Sequence, residues 1–300
     1  MRIRGWTVIL SVLAAGAALS GCSAAARAPA VPGLGQQVLP VFAYLQSGAE
    51  ATTYDQAYNI LVAQCMARYG YSDPHQVYLE PPTPPMYRRY GVTSLAIASQ
   101  WGYHLEAGSP LLAKGPPATR PWSSAELMVY TGSPHGQSSP AAQPQPRPSY
   151  QGQPVPAGGC AGQAGRQLGN TGAAALPNLP NQINEGDFTE SMNQPDVLAV
   201  FGAWSHCMAQ RGFDYRDPLQ ALSAATITTP SPGQRETDTA VADVQCKTRT
   251  HLVSIWFAAE YRLEEKSIQR NIVALTAIRA KLLAEEKAAL AVIASAPAPG

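Results

Sequence analysis

The sequence predicts a mainly α-helical, loop-rich body stapled by disulfides, with a long C-terminal helix in a helical hairpin. Three observations lead there. A phrase occurs twice, as Cys65-Met66-Ala67-Arg68-Tyr69-Gly70-Tyr71 and as Cys207-Met208-Ala209-Gln210-Arg211-Gly212-Phe213, each time after a helix-compatible run and with an Asp-Pro downstream. From about Glu236, apolar residues recur at helical spacing through Val244, Leu252, Trp256, Leu263, Leu275, Ile278 and Leu282, with no Gly or Pro before Pro297. Between Asp73 and Gly159, by contrast, prolines crowd the chain. Proline fixes its own φ and disfavours helix in the residue before it, so long regular elements are not expected in that stretch.

Taken in order, the chain opens with Arg2 and Arg4, an apolar run from Trp6 to Leu19, and then Leu19-Ser20-Gly21-Cys22. A charged start, a short apolar run and small residues before a cut mark a secretory signal, and the run is too short for a comfortable membrane span. Leu-Ser-Gly-Cys resembles the lipobox of bacterial lipoproteins. The resemblance implies removal of residues 1–21, a lipid on Cys22 and attachment to the cell membrane on its extracytoplasmic face. Two or more acyl chains give stable anchoring. Residues 22–37, rich in Ala, Pro and Gly, read as a flexible tether.

Export changes how the other cysteines are read. With Cys22 lipidated, Cys65, Cys160, Cys207 and Cys246 remain in a disulfide-permissive compartment, and four cysteines allow three pairings. Joining each repeated helix end to the next cysteine along pairs Cys65 with Cys160 and Cys207 with Cys246. A link between Cys65 and Cys207 would instead staple the two repeats together. No Cys-x-x-Cys spacing occurs, so zinc and thioredoxin-like chemistry lose their usual signature. His206, Cys207 and Met208 offer soft ligands of the kind copper takes, but neighbouring helix positions point about 100° apart and do not easily share one ion. No metal or cofactor is expected. A net charge of +1 with 14% charged residues gives no basic face for nucleic acid.

A first module is expected over residues 38–170. Val38, Val41, Phe42 and Leu45 suit a short amphipathic turn interrupted by Pro40, and Thr52 or Thr53 suits the cap of a helix carrying Ala57, Ile60, Leu61, Gln64 and Cys65. Gly70 and Gly212 suit the left-handed position that ends a helix, which lets Tyr71 pack on Met66 and Phe213 on Met208. Within the proline-rich stretch, Ser94 to Trp101 suits a short helix ended by Gly102. Around it, Arg88, Arg89, Trp101, Tyr103 and His104 combine rings with hydrogen-bond donors, as a contact set for an envelope glycan would. The other reading, favoured here, is that they pack this region onto the helices. Residues 132–157 read as disordered or extended.

A second module is expected over residues 186–295, with Asp196 capping a helix that buries Val197, Val200, Phe201, Trp204, Cys207 and Met208 and then returns as a hairpin. Ile268, Leu275, Leu282 and Ala289 fit a heptad, which raises an envelope protein as a partner for the C-terminal helix. The other seam meets Arg279 and Glu286, which favours a helix packed on its own domain. Glu260, Glu264, Glu265, Glu285 and Glu286, among Arg262, Lys266, Arg270 and Lys281, read as a solvated charged face.

The order Leu39-Pro40, Ala57 to Cys65-Met66 and Gly70, Arg88-Arg89-Tyr90-Gly91, Gly102-Tyr103-His104, Gly158-Gly159-Cys160, then Trp204 to Cys207-Met208 and Gly212 resembles uncharacterised secreted proteins and lipoproteins of actinobacteria. That family has no established activity, so the resemblance implies an envelope setting and contributes no catalytic residue. No nucleophile elbow, zinc-protease helix, P-loop or dinucleotide turn occurs, and His75, His104, His135 and His251 are scattered. The expected role is a non-catalytic, surface-anchored interaction or structural protein. The alternative is an enzyme or binding protein that acts on an envelope glycan or peptide.

Overall fold

Both copies of the repeated phrase close a helix in the same way. In the computed structural model, which describes residues 34, 36–72, 83–112, 121–133, 148–169, 178–225 and 231–296, helix α1 runs Gly48–Ala67 and helix α6 runs Pro195–Ala209. Gly70 and Gly212 both stand at φ 84°. The Gly70 N–H donates to Ala67 O and that of Tyr71 to Met66 O, at 3.0 and 3.2 Å; Gly212 to Ala209 and Phe213 to Met208 repeat the pattern at 3.0 and 3.1 Å. These are paired Schellman closures, and each aromatic packs in the apolar cluster that holds its methionine. The cap of α1 is not at Thr52 or Thr53. Ser47 and Glu50 form a capping box one turn earlier, which places both threonines inside the helix. Likewise α6 begins with Pro195 after Gln194, and Asp196 lies in its first turn.

Among its described residues the proline-rich stretch holds short elements. These are α2 (Leu95–Trp101), the 3₁₀ turn Pro110–Leu112, α3 (Ser124–Thr131), a hairpin of β1 (Ser149–Tyr150) with β2 (Gln153–Pro154), and α4 (Gly159–Gln167). The hairpin corrects the expectation of disorder over 132–157 for residues 148–157. Gln151 and Gly152 take positive φ at its turn, Val155 is buried, and the Tyr150 ring meets those of Tyr69 and Tyr71. The expected lipid site Cys22, the signal segment 1–21, most of the tether, both motifs Asp73-Pro74 and Pro116-Pro117, and residues 134–147 lie outside the described residues. At the tether's far end Leu34 is buried in the main core, so chain packing begins before residue 38.

Helices α5 (Leu179–Ser191), α7 (Pro218–Ser223), α8 (Gln234–Thr250) and α9 (Leu252–Ser295) complete the body. The run that reads as one helix from Glu236 onward is broken at His251, which sits in the left-handed region at φ 56°. Cys246 therefore lies near the end of α8, where it is joined to Cys207 with Cα atoms 5.7 Å apart; Cys65 is joined to Cys160 at 5.6 Å.

Helix α9 is the spine. Helices α1, α5 and α6 and the 3₁₀ turn Pro40–Tyr44 pack along it, while α2 and α6 pack on α8. The largest apolar cluster joins Met86, Tyr90, Val92, Ala98 and Tyr103 with Trp204, Cys207, Cys246 and Trp256, so it crosses the boundary drawn between residues 38–170 and 186–295. The heptad positions Leu275, Leu282 and Ala289 are buried within the chain itself, Leu275 against Val41 and Ile183 and Ala289 against Ala57 and Leu168. The outer face of α9 instead exposes Ile272, Val273, Leu283 and Leu290.

Candidate functional site

Four of the five expected contact residues, Arg88, Arg89, Tyr103 and His104, turn their polar groups inward. Residues 85–91 form a turn in which Arg88 adopts φ 54°, a region that side chains other than glycine rarely enter. Its guanidinium compensates by donating to Tyr103 O at 2.8 Å, His104 O at 2.6 Å and the Glu106 carboxylate at 2.9 Å, which ties this turn to the one after α2. Arg89 points the other way, to Glu260 on α9. Its Nε donates to Glu260 Oε1 at 2.9 Å, Nη2 donates to the same oxygen, and Nη2 also reaches Asn184 O at 3.1 Å. The guanidinium lies over the rings of Phe188 and Phe42, and the neighbouring Tyr90 hydroxyl donates to Glu260 Oε2 at 2.7 Å. Both oxygens of a fully buried carboxylate are thereby paired.

Tyr103 and His104 are held by α8. Glu236 Oε1 accepts the Tyr103 N–H at 2.9 Å and lies 2.8 Å from His104 Nδ1. One turn and more along the same helix, Asp243 and Lys247 form a buried ion pair at 2.9 Å. Trp204 Nε1 and the Tyr103 hydroxyl also donate to Asp243, at 3.0 and 3.3 Å, and Lys247 donates to Val92 O at 3.0 Å. Burial pushes the Asp243 carboxyl up from its ordinary range, and Lys247 with the two ring donors opposes that push. Trp101 is half-buried at the end of α2. Residues 85–106 thus act as a clasp whose polar groups close on acids of α8 and α9.

Those acids correct the reading of α9 as a solvated charged face. Glu260 and Glu264 are fully buried and Glu285 nearly so, whereas Glu265 is exposed. A signal was present in the spacing. Trp256, Glu260, Glu264, Ser267, Asn271, Leu275, Ile278, Leu282, Glu285 and Ala289 follow the three- and four-residue steps of one stripe, which places the carboxylates on the packed face. Composition hid them, because a buried carboxylate needs partners that come from distant segments.

No known protein family, curated protein or solved structure matches the chain. Among the described residues, no group of three or more His, Cys, Asp or Glu side chains is placed to hold a metal ion, and no helix is long and apolar enough to cross a membrane. Cys207 is committed to its disulfide, and His206 lies 2.9 Å from Gln210, so the soft-ligand trio is not assembled. One cavity adjoins the clasp. It measures about 290 Å³ and is lined by Tyr103, Tyr215, Ala221, Arg235, Glu236 and Thr239, among others.

Proposed function

We propose that this chain is a lipid-anchored protein of the cell envelope, on the extracytoplasmic face of the membrane, that acts by binding or by holding structure and carries out no catalysis. The observation that carries the non-catalytic part is the use made of its chemically capable side chains. Arg89, Tyr103 and His104, with Glu236, Asp243, Lys247 and Glu260, are joined in hydrogen bonds that hold the clasp to the helices, and Arg88 is spent on bonds within the clasp. The anchored part rests on the lipobox-like Leu19-Ser20-Gly21-Cys22. For a protein partner, the surface on offer is the outer face of α9 with its exposed Val273, Leu283 and Leu290. Labelling cells with a palmitate analogue is expected to mark the wild type and not Cys22→Ala; equal labelling of both would sink the anchor. Crosslinking the protein in its native envelope is expected to recover a protein, and recovery of glycan alone would overturn the preferred reading.

The cavity beside the clasp favours a second reading, a binding protein for an envelope glycan or peptide. Its walls combine two tyrosine rings with Arg235 and Glu236 at a size near the lower end for ligand sites. Titration with soluble cell-wall fragments, followed through the amide resonances of Tyr103 and Tyr215, separates the two readings.

A further inference from the structure

Glu264 lies one turn beyond Glu260 on α9, fully buried, where α9, α5 and the turn Pro40–Tyr44 meet. Its Oε2 accepts the Val41 N–H at 2.9 Å, which ties the turn to the spine across 223 residues of sequence. Its Oε1 has no partner. Two more buried oxygens on α5, Asn184 Oδ1 and Asp187 Oδ2, also have none. All three are acceptors, and an acceptor left without a partner on burial calls for a donor or a positive charge.

The charges around Glu264 decide which. On α9 it faces Glu260, with Arg270 at the rim; α5 presents Asp187, with the exposed Glu190 beyond it; the clasp presents Arg89 and the Tyr90 hydroxyl; the turn Pro40–Tyr44 brings no charged side chain. Glu264 thus stands beside two other acids, Glu260 and Asp187, with Arg89 the opposing guanidinium. Among the described residues no group of three such acids is placed to hold a metal ion, which leaves a proton as the positive charge the site can take.

We propose that this junction is a proton-binding switch, in which Glu264 takes a proton from solvent onto Oε1, which removes its charge from beside Glu260 and Asp187 and so holds α5 onto α9. Loss of the proton leaves like charges buried together at the junction, and the packing of α5 on α9 loosens. The switch is independent of whether Cys22 carries lipid. Burial pushes the Glu264 carboxyl up to about 7, with Glu260 and Asp187 adding to the rise and the Val41 amide and Arg89 opposing it. Asp187 is also pushed up by burial.

The folded-state value of Glu264 lies above its ordinary 4.5, so the stabilising contribution is fully present below that pH and is lost as pH rises to about 7. The folding constant then falls by at most about tenfold per pH unit in that window, the limit for one linked proton. The test uses the full chain between pH 5 and 8. Melting temperature and hydrogen-exchange protection of the α5 amides, corrected for intrinsic rate, are expected to fall as pH rises in the wild type. In Glu264→Gln, which keeps the shape and carries a permanent donor, that dependence is expected to flatten. A protonated-carboxyl infrared band in the wild type should titrate near pH 7, and this reading stands even if the variant does not fold. Equal pH dependence in both proteins, an infrared midpoint below 5, or calcium raising the wild-type melting temperature at pH 8 would each overturn the proposal, the last in favour of a cation site.

Discussion

Gly70 and Gly212 offer a measurement of backbone strain with little else mixed in, because a Cβ at either position meets nothing within 4 Å. Replacing either by valine is expected to lower stability by about 1–2 kcal/mol, the cost of holding a side chain in the left-handed region. Chemical denaturation checks it, and unchanged midpoints in both variants would refute the closure. Gly159 is the contrast: at φ 66° its missing Cβ would run into the backbone of Tyr130, so Gly159→Ala should cost more than Gly70→Ala. Burial makes Asp243 and Lys247 a third case. Asp243→Asn alone strands a buried ammonium and is expected to cost about 3–5 kcal/mol. Adding Lys247→Met should recover part of that loss, and strict additivity in the double-mutant cycle would mean that the two groups do not interact in the folded state.

At the scale of elements, the break between α8 and α9 is the least expected feature. Nothing in the sequence there is a usual helix breaker, and yet His251 takes a conformation glycine adopts more readily. His251→Gly is therefore expected to be tolerated or to stabilise by up to about 1 kcal/mol, whereas a continuous helix would lose a similar amount. Melting temperature distinguishes the two signs. The disulfides serve different parts of the chain. Cys207–Cys246 lies within the main core, while Cys65–Cys160 joins α1 to α4 in a smaller cluster with Val62, Met66, Tyr69, Val129 and Val155. Removing the second pair as Cys65→Ala with Cys160→Ala is expected to cost about 2–5 kcal/mol. Hydrogen exchange should place the loss in α3, α4 and the hairpin, with α6 and α8 largely protected.

At the scale of the whole molecule, the clasp of residues 85–106 belongs to the expected first module by sequence but packs into the largest apolar cluster, with residues of the second. Its aromatic and aliphatic side chains fill space between α6, α8 and α9, and its arginines, tyrosines and His104 complete the acids of α8 and α9. Calorimetry with both disulfides intact is expected to give one main transition with matching calorimetric and van't Hoff enthalpies. Two well-separated transitions would restore the modular division.

By itself the sequence determined the helical class, the repeated helix ends and the shortness of the elements among the prolines. All of these rest on local rules: apolar spacing, proline geometry and glycine's access to positive φ. The choice among three cysteine pairings fell to tertiary structure, since the joined cysteines lie 95 and 39 residues apart. Tertiary structure decided where the charges go. Glu260 and Glu264 read as solvated because burial of a carboxylate depends on partners 171 and 223 residues away, Arg89 and the Val41 amide. It also decided that Arg88, Arg89, Tyr103 and His104 turn inward, since the same rings and donors that suit a ligand suit a buried acid equally well. Local sequence specifies what a side chain can bond to, and only packing selects the partner.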